Sequence, residues 1–142
     1  MRAFVYPARF MADRRDGGFV VTFRDIPEAI TQGESLEACL EEAAGALQAA
    51  LEGRIMSELE IPRASKAKRG EHLIAVPIQT ALKGALYLEM RKVGMTRAKL
   101  ARRLGIDEKE ARRMLDPYHA TKADRLEKAL AVLGKQVELR VA

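Results

Sequence analysis

Lys109, Arg112 and Arg113 stand together in the stretch GIDEKEARRMLDPYHATK, residues 105 to 122, and their chemistry is that of anion recognition. A guanidinium presents a rigid fork of donors that matches a phosphate or the O6/N7 edge of guanine, while an ammonium acts as a compact point charge. In a helix, Lys109 shares a face with Arg112 and Arg113, because residues three and four apart are neighbours. Two readings are open at this level: a solvated charged helix that binds nothing, or a helix whose exposed face meets a polyanion.

Other reactive residue types are scattered. Asp13, Asp16 and Asp25 are the only aspartates in the first half of the chain. Clustered carboxylates of that kind hold metal ions in nucleases, but two of these sit in or beside a Gly-rich turn and the third follows in RDIP, which reads as three solvated turn residues. His72 and His119 are isolated, His119 as a loop residue near Pro117, and no nucleophile and base are paired. Cys39, the single cysteine, lies on an apolar helical stripe and reads as a small buried hydrophobe. No catalytic residue, metal ligand or cofactor is expected.

The 142 residues suffice for one domain or two small ones, and 48% hydrophobic with 32% charged residues is ordinary for a globular protein. No apolar run can span a bilayer, and MRAFVYPARFMADRR lacks the apolar run of a secretory signal, so a cytoplasmic protein is expected. The net charge of +5 conceals a reversal. Residues 1 to 65 carry seven Lys/Arg against eleven Asp/Glu, a balance of −4, and residues 66 to 142 carry eighteen against nine, a balance of +9. A basic half favours nucleic acid through phosphate neutralisation, and an acidic half suits a basic protein.

These residues need elements to position them. FVYPARF and FVVTF flank Asp16-Gly17-Gly18 and read as a hairpin, with Pro7 marking an edge strand or a strand start. A third short strand near Ala29 to Gln32 precedes a helix capped by Ser35, with Leu36, Cys39, Leu40, Ala43, Leu47, Ala50 and Leu51 as its inward stripe. EIPRASKAKRG, residues 60 to 70, reads as a polar linker, and HLIAVPI as a strand returning to the first sheet, which moves the boundary to residue 77. The first domain, residues 1 to 77, is therefore β-β-β-α-β, and the whole chain α+β.

Residues 78 to 142 have a helical period. Leu82, Ala85, Leu86, Met90 and Val93 form one stripe; Thr96 caps RAKLARRLG, Gly105 ends it, and Asp107 with Glu110 has the spacing of a capping box for the next helix. Thr121 and Asp124 repeat that device. Two short helices joined at a glycine, with Ala101 allowing a close crossing, have the arithmetic of a helix-turn-helix. Glu108, Lys109, Arg112 and Arg113 then face outward, Lys109 and Arg112 spaced for bases, while Lys99, Arg113 and Lys122 suit phosphates. The final KQVELRVA alternates Val137, Leu139 and Val141 with polar residues and reads as a strand. Such a strand has no obvious partner in its own domain: pairing with a second copy would make a dimer or a higher homo-oligomer, and the competing possibility is that it folds back onto the first sheet, which needs no second chain.

RDGGFVVTFRDIPEAITQGESLEACLEEA resembles the HicB antitoxins of type II toxin–antitoxin systems, and TRAKLARRLGIDEKEARRMLDPYHATKADRLEKALAVLGKQVELRV resembles the Cro/repressor-type helix-turn-helix that many of them carry. The resemblance implies a truncated ribonuclease H-like fold for residues 1 to 77, a small basic HicA-type toxin that cleaves mRNA as the protein partner, and operator double-stranded DNA as the partner of residues 78 to 142. It further implies phosphate contact across Thr96, Arg97 and Lys99, and DNA contact by Glu108, Lys109, Arg112 and Arg113. The motif departs from its usual form at Arg97, where Gln is common, and at Ala111, where Val or Ile is usual. A stand-alone repressor whose first domain senses a small ligand remains the alternative.

Overall fold

The hairpin forms where glycine allows the chain to turn. In the computed structural model, which describes residues 1–142, β1 (Val5–Ala12) and β2 (Phe19–Thr22) pair antiparallel, with Ala12 opposite Phe19. The loop between them is wider than a two-residue turn: the Asp13 N–H donates to the Gly18 carbonyl at 2.9 Å, and Asp13 Oδ1 accepts from the backbone N–H groups of Arg15 and Asp16. Gly17 and Gly18 take φ of 77° and 71°, a region closed to most side chains.

β3 (Ile30–Gly33) pairs antiparallel with β2, and β4 (Glu71–Ala75) with β1, giving the sheet order β3-β2-β1-β4. The expectation that Pro7 marks an edge is therefore corrected: β1 is interior, with Pro7 opposite Leu73. The proline is tolerated there because β2 pairs only with Arg9 to Ala12, so β1 has no partner on that flank at Pro7. Between β3 and β4 runs α1 (Leu36–Met56), capped by Ser35 Oγ, which accepts from the Ala38 N–H at 3.1 Å. Its buried residues are Cys39, Ala43, Leu47, Leu51 and Ile55, at successive steps of four, and they pack in a core with Tyr6, Val21, Phe23 and Ile74. That stripe is narrower than the sequence suggests, for Leu36 and Leu40 are 50% and 45% exposed. Gly33 is required by close approach, since a methyl there would lie 2.8 Å from Cys39 Sγ and 2.9 Å from its backbone nitrogen.

Residues 60 to 70 are not a free linker. Ile61 is 1% exposed, Tyr6 Oη donates to the Pro62 carbonyl at 2.7 Å, and Arg24 Nη2 donates to the Lys66 carbonyl. Ser65 donates from its N–H and its hydroxyl to the two oxygens of Asp25, at 2.8 and 2.6 Å, so Asp25 is no solvated turn residue either. Proline and charge mark a segment without regular structure, but side chains distant in sequence take up its backbone groups.

Arg24 also grips Glu71 Oε2 at 2.9 Å, and with the Lys68 N–H it holds the Glu71 carboxyl down to about 2, well below its ordinary 4.5. A depressed carboxylate pKa stabilises the fold above the unfolded value and loses that contribution as pH falls through the folded one. Amide protection factors across the β1–β4 ladder, corrected for the intrinsic pH dependence of exchange, should therefore fall between pH 4.5 and about 2, and Glu71→Gln should flatten that part of the pH dependence. An identical acid profile in the variant contradicts this assignment.

The chain divides into two compact units, Met1–Pro77 and Ile78–Ala142. The second is all helical: α2 (Ile78–Val93), α3 (Arg97–Leu104), α4 (Glu108–Leu115) and α5 (Ala123–Val132). Leu82, Leu86, Met90, Leu100, Met114, Leu126, Ala129 and Leu130 form its core. One sequence expectation fails here, and a second is not met within the single chain. Thr121 caps nothing: the N-cap of α5 is Lys122, and no side chain bonds to the helix start. Nor do residues 135 to 142 form a strand. This unit has no other strand to pair with, and the chain after α5 instead folds back, Val137 packing on the core and Lys135 pairing with Glu89 at 3.8 Å. Leu139 and Val141 remain 76% and 87% exposed.

Candidate nucleic-acid interface

Local sequence builds α3 and α4 almost without help. Thr96 Oγ1 accepts from the Lys99 N–H at 3.1 Å, opening α3, and Gly105 closes it in the left-handed region at φ 68°. Asp107 Oδ1 accepts from the Glu110 N–H at 2.8 Å, opening α4 after a turn of Gly105, Ile106 and Asp107. Each cap satisfies a donor that the helix itself leaves orphaned. Leu100, Ala101, Ala111 and Met114 are buried, which fixes the roll of both helices and turns their cations outward.

The outward side of α4 carries Glu108, Lys109, Arg112 and Arg113, all exposed. On α3, Arg97 and Lys99 are exposed, as is the capping Thr96, and so are Arg102 and Arg103, two cations not singled out from the sequence. Lys122 is exposed at the start of α5 and lines, with Arg113, His119, Thr121 and Arg125, a cleft of about 170 Å³. Arg125 is partly neutralised by Glu110 at 3.2 Å. The hydroxyl of Thr121 is buried without a hydrogen-bond partner. Such an arrangement offers forked donors on one helix and a point charge at the start of another, the complement of a phosphate-flanked groove. Val137, Leu139 and Val141 lie apart from these cations in the sequence, Val137 half-buried and the other two open to solvent.

Two residues of this unit escaped the sequence reading. Lys83 of α2 is 2% exposed, and its ammonium donates to the carbonyls of Arg113 at 3.1 Å, Asp116 at 2.6 Å and His119. Burial pulls it down to about 8 from 10.5, with the Asp116 carboxylate opposing. Gln79, one turn earlier, accepts from the Thr121 N–H at 2.7 Å and donates to the Thr121 carbonyl at 2.8 Å. A signal existed: both fall on the inward stripe of α2 beside Leu82 and Leu86, where a polar residue must find partners.

Elsewhere, the candidate carboxylates do not converge. Asp13 is occupied by the hairpin loop and Asp25 by Ser65. Cys39 is buried against Gly33 with its thiol free. No helix is long and apolar enough to cross a membrane.

A family model described as a HicB-like antitoxin of bacterial toxin-antitoxin systems matches residues 5–85. Among curated proteins, the chain is 38% identical over 134 residues to Antitoxin HicB 2 of Photorhabdus laumondii, covering 94% of each. It is 37% identical over 124 residues to Antitoxin HicB of Escherichia coli K12, covering 87% of this chain and 90% of that one. Antitoxin HicB of Pseudomonas fluorescens is 30% identical over 126 residues, 88% of this chain and 86% of the relative.

Proposed function

Because the chain belongs to the HicB-like antitoxin family of bacterial toxin–antitoxin systems, we propose that it blocks a HicA-type mRNA-cleaving toxin with residues 1–77 and represses its own operon with residues 78–142. The first task needs no chemistry of its own. Covering the toxin's active site or RNA-binding surface stops cleavage, and the partial ribonuclease H-like sheet with α1 is the scaffold for that contact. Redrawing the boundary at Pro77 leaves the first unit with ten Lys/Arg against twelve Asp/Glu, a balance of −2, and the second with fifteen against eight, a balance of +7. Opposite charge speeds the encounter with a basic toxin, and the positive unit is drawn to DNA.

The observation that carries the repressor reading is the pair α3–α4: capped at both starts, joined through three residues, and exposing Lys109, Arg112 and Arg113 on the second helix. In a helix-turn-helix, that second helix enters the major groove. Lys109 and Arg112 are the base-reading positions, with Glu108 beside them at the DNA; Thr96, Arg97, Lys99, Arg113 and Lys122 hold phosphates. The exposed Leu139 and Val141 are the seam for a second copy, whose KQVELRVA supplies the strand partner the single chain lacks. A two-fold dimer sets two recognition helices about one DNA turn apart, roughly 34–36 Å, and predicts a palindromic operator.

A mobility-shift assay on the DNA upstream of the chain's own coding region tests this. The full chain is expected to shift that DNA, and a chain ending at Lys135 to form a weaker dimer and shift it much more poorly while still blocking the toxin. No shift with the full chain overturns the repressor reading. An unchanged dimer after the truncation overturns only the terminal ribbon.

A further inference from the structure

The loop from Asp116 to Thr121 links the end of α4 to the start of α5 and contains no regular secondary structure. Its own backbone bonding is slight, a 3.2 Å bond from the His119 N–H to the Asp116 carbonyl, with Asp116 Oδ1 accepting from the Tyr118 N–H at 2.9 Å. What fixes the loop comes from α2. Lys83 uses its three ammonium protons on the carbonyls of Arg113, Asp116 and His119, and Gln79 closes a two-bond ring with the backbone of Thr121. The two side chains are four residues apart and so share one face of α2. Their bonds reach from the last turn of α4 to the residue just before Lys122, the N-cap of α5.

A buried ammonium is an expensive way to fill a core position. A leucine or methionine would bury apolar surface at Lys83 without the desolvation cost, but would leave the loop's carbonyls without this donor. The lysine is thus spent on the placement of backbone. The segment it places lies between the two elements that carry Lys109, Arg112 and Arg113 on one side and Lys122 on the other. We propose that Gln79 and Lys83 are positioning residues for DNA binding: from inside the unit they set the placement of α4 against the start of α5, so that base-reading and phosphate-holding groups meet one duplex together. This rests on the DNA-binding reading above. Neither side chain touches DNA, and preorganisation of the contact surface is what they contribute.

The full chain carrying Lys83→Met or Gln79→Ala provides the test, by fluorescence anisotropy against a duplex from upstream of its own coding region and a scrambled duplex of equal length. Measurements are made at a temperature where circular dichroism shows each variant folded. Lys83→Met is expected to lose about tenfold or more in affinity for the upstream duplex through lost preorganisation, and Gln79→Ala to lose less in the same pattern. Affinity for the scrambled duplex should stay within about twofold, because no exposed cation has been removed. A merely stabilising role predicts a lower melting temperature with upstream-duplex affinity unchanged in the folded protein, and that result overturns the proposal. Should Lys83→Met fail to fold, Gln79→Ala decides by the same criterion. Wild-type protein that prefers neither duplex overturns the DNA-binding reading itself, and the positioning role with it. Wild-type preference retained by a folded variant removes the positioning role alone.

Discussion

Arg112→Ala is expected to weaken operator binding by about 1–3 kcal/mol and to relax discrimination at one base pair, the cost of losing a bidentate contact to a base edge. Arg112 is exposed on α4, in the turn held by the buried Ala111 and Met114, so its removal takes away a contact without disturbing the core. Lys122→Ala provides the contrast. A phosphate contact carries no sequence information, so this variant should bind all duplexes more weakly in similar proportion, with a shallower dependence on salt. Binding constants measured for both variants on matched and single-substituted operators, across a salt series, separate the two roles. An Arg112→Ala protein that loses affinity evenly over every sequence moves Arg112 into the phosphate class; one that loses none removes α4 from the interface.

Growth of cells expressing the toxin should be restored by residues 1–77 alone and not by residues 78–142, an all-or-none difference. The first unit has its own sheet, helix and core, and the segment after α1 is tied down by Tyr6, Arg24 and Asp25 of that same unit. Inhibition by occlusion requires only that surface, so the full chain with Arg112→Ala should rescue growth as well as wild type does. Rescue by the helical fragment, with none from residues 1–77, reverses the division of labour. Co-purification of toxin with each fragment, followed by size-exclusion chromatography, reads the same question without growth.

Local chemistry in the sequence determined much of this protein. Ser35, Thr96 and Asp107 cap helices where their side chains can reach the N–H three residues on, and Gly105 stops α3 because few other residues adopt φ 68° without strain. Gly17 and Gly18 mark the hairpin for the same reason. Apolar residues at helical spacing settled which way α4 faces, and hence that Lys109, Arg112 and Arg113 share an open surface. The segment that resembles HicB antitoxins, residues 15 to 43, lies within the family match.

Tertiary structure decided what depends on partners far away in the chain. Strand order put β1 and its Pro7 inside the sheet, since β4 arrives from beyond α1 to pair with it. Asp25 and Ser65, 40 residues apart, turned a linker-like stretch into part of a unit. Alternation in KQVELRVA was insufficient for a strand, because a strand exists only as half of a ladder and none is offered within the chain. Lys83 is the sharpest case. Its neighbours in sequence say only that a lysine sits on an apolar stripe; that its charge is matched by three carbonyls 30 to 36 residues away is settled when α4 and the following loop close over α2. Periodicity and capping are written within a few residues, whereas satisfaction of a buried charge is a property of the assembled core.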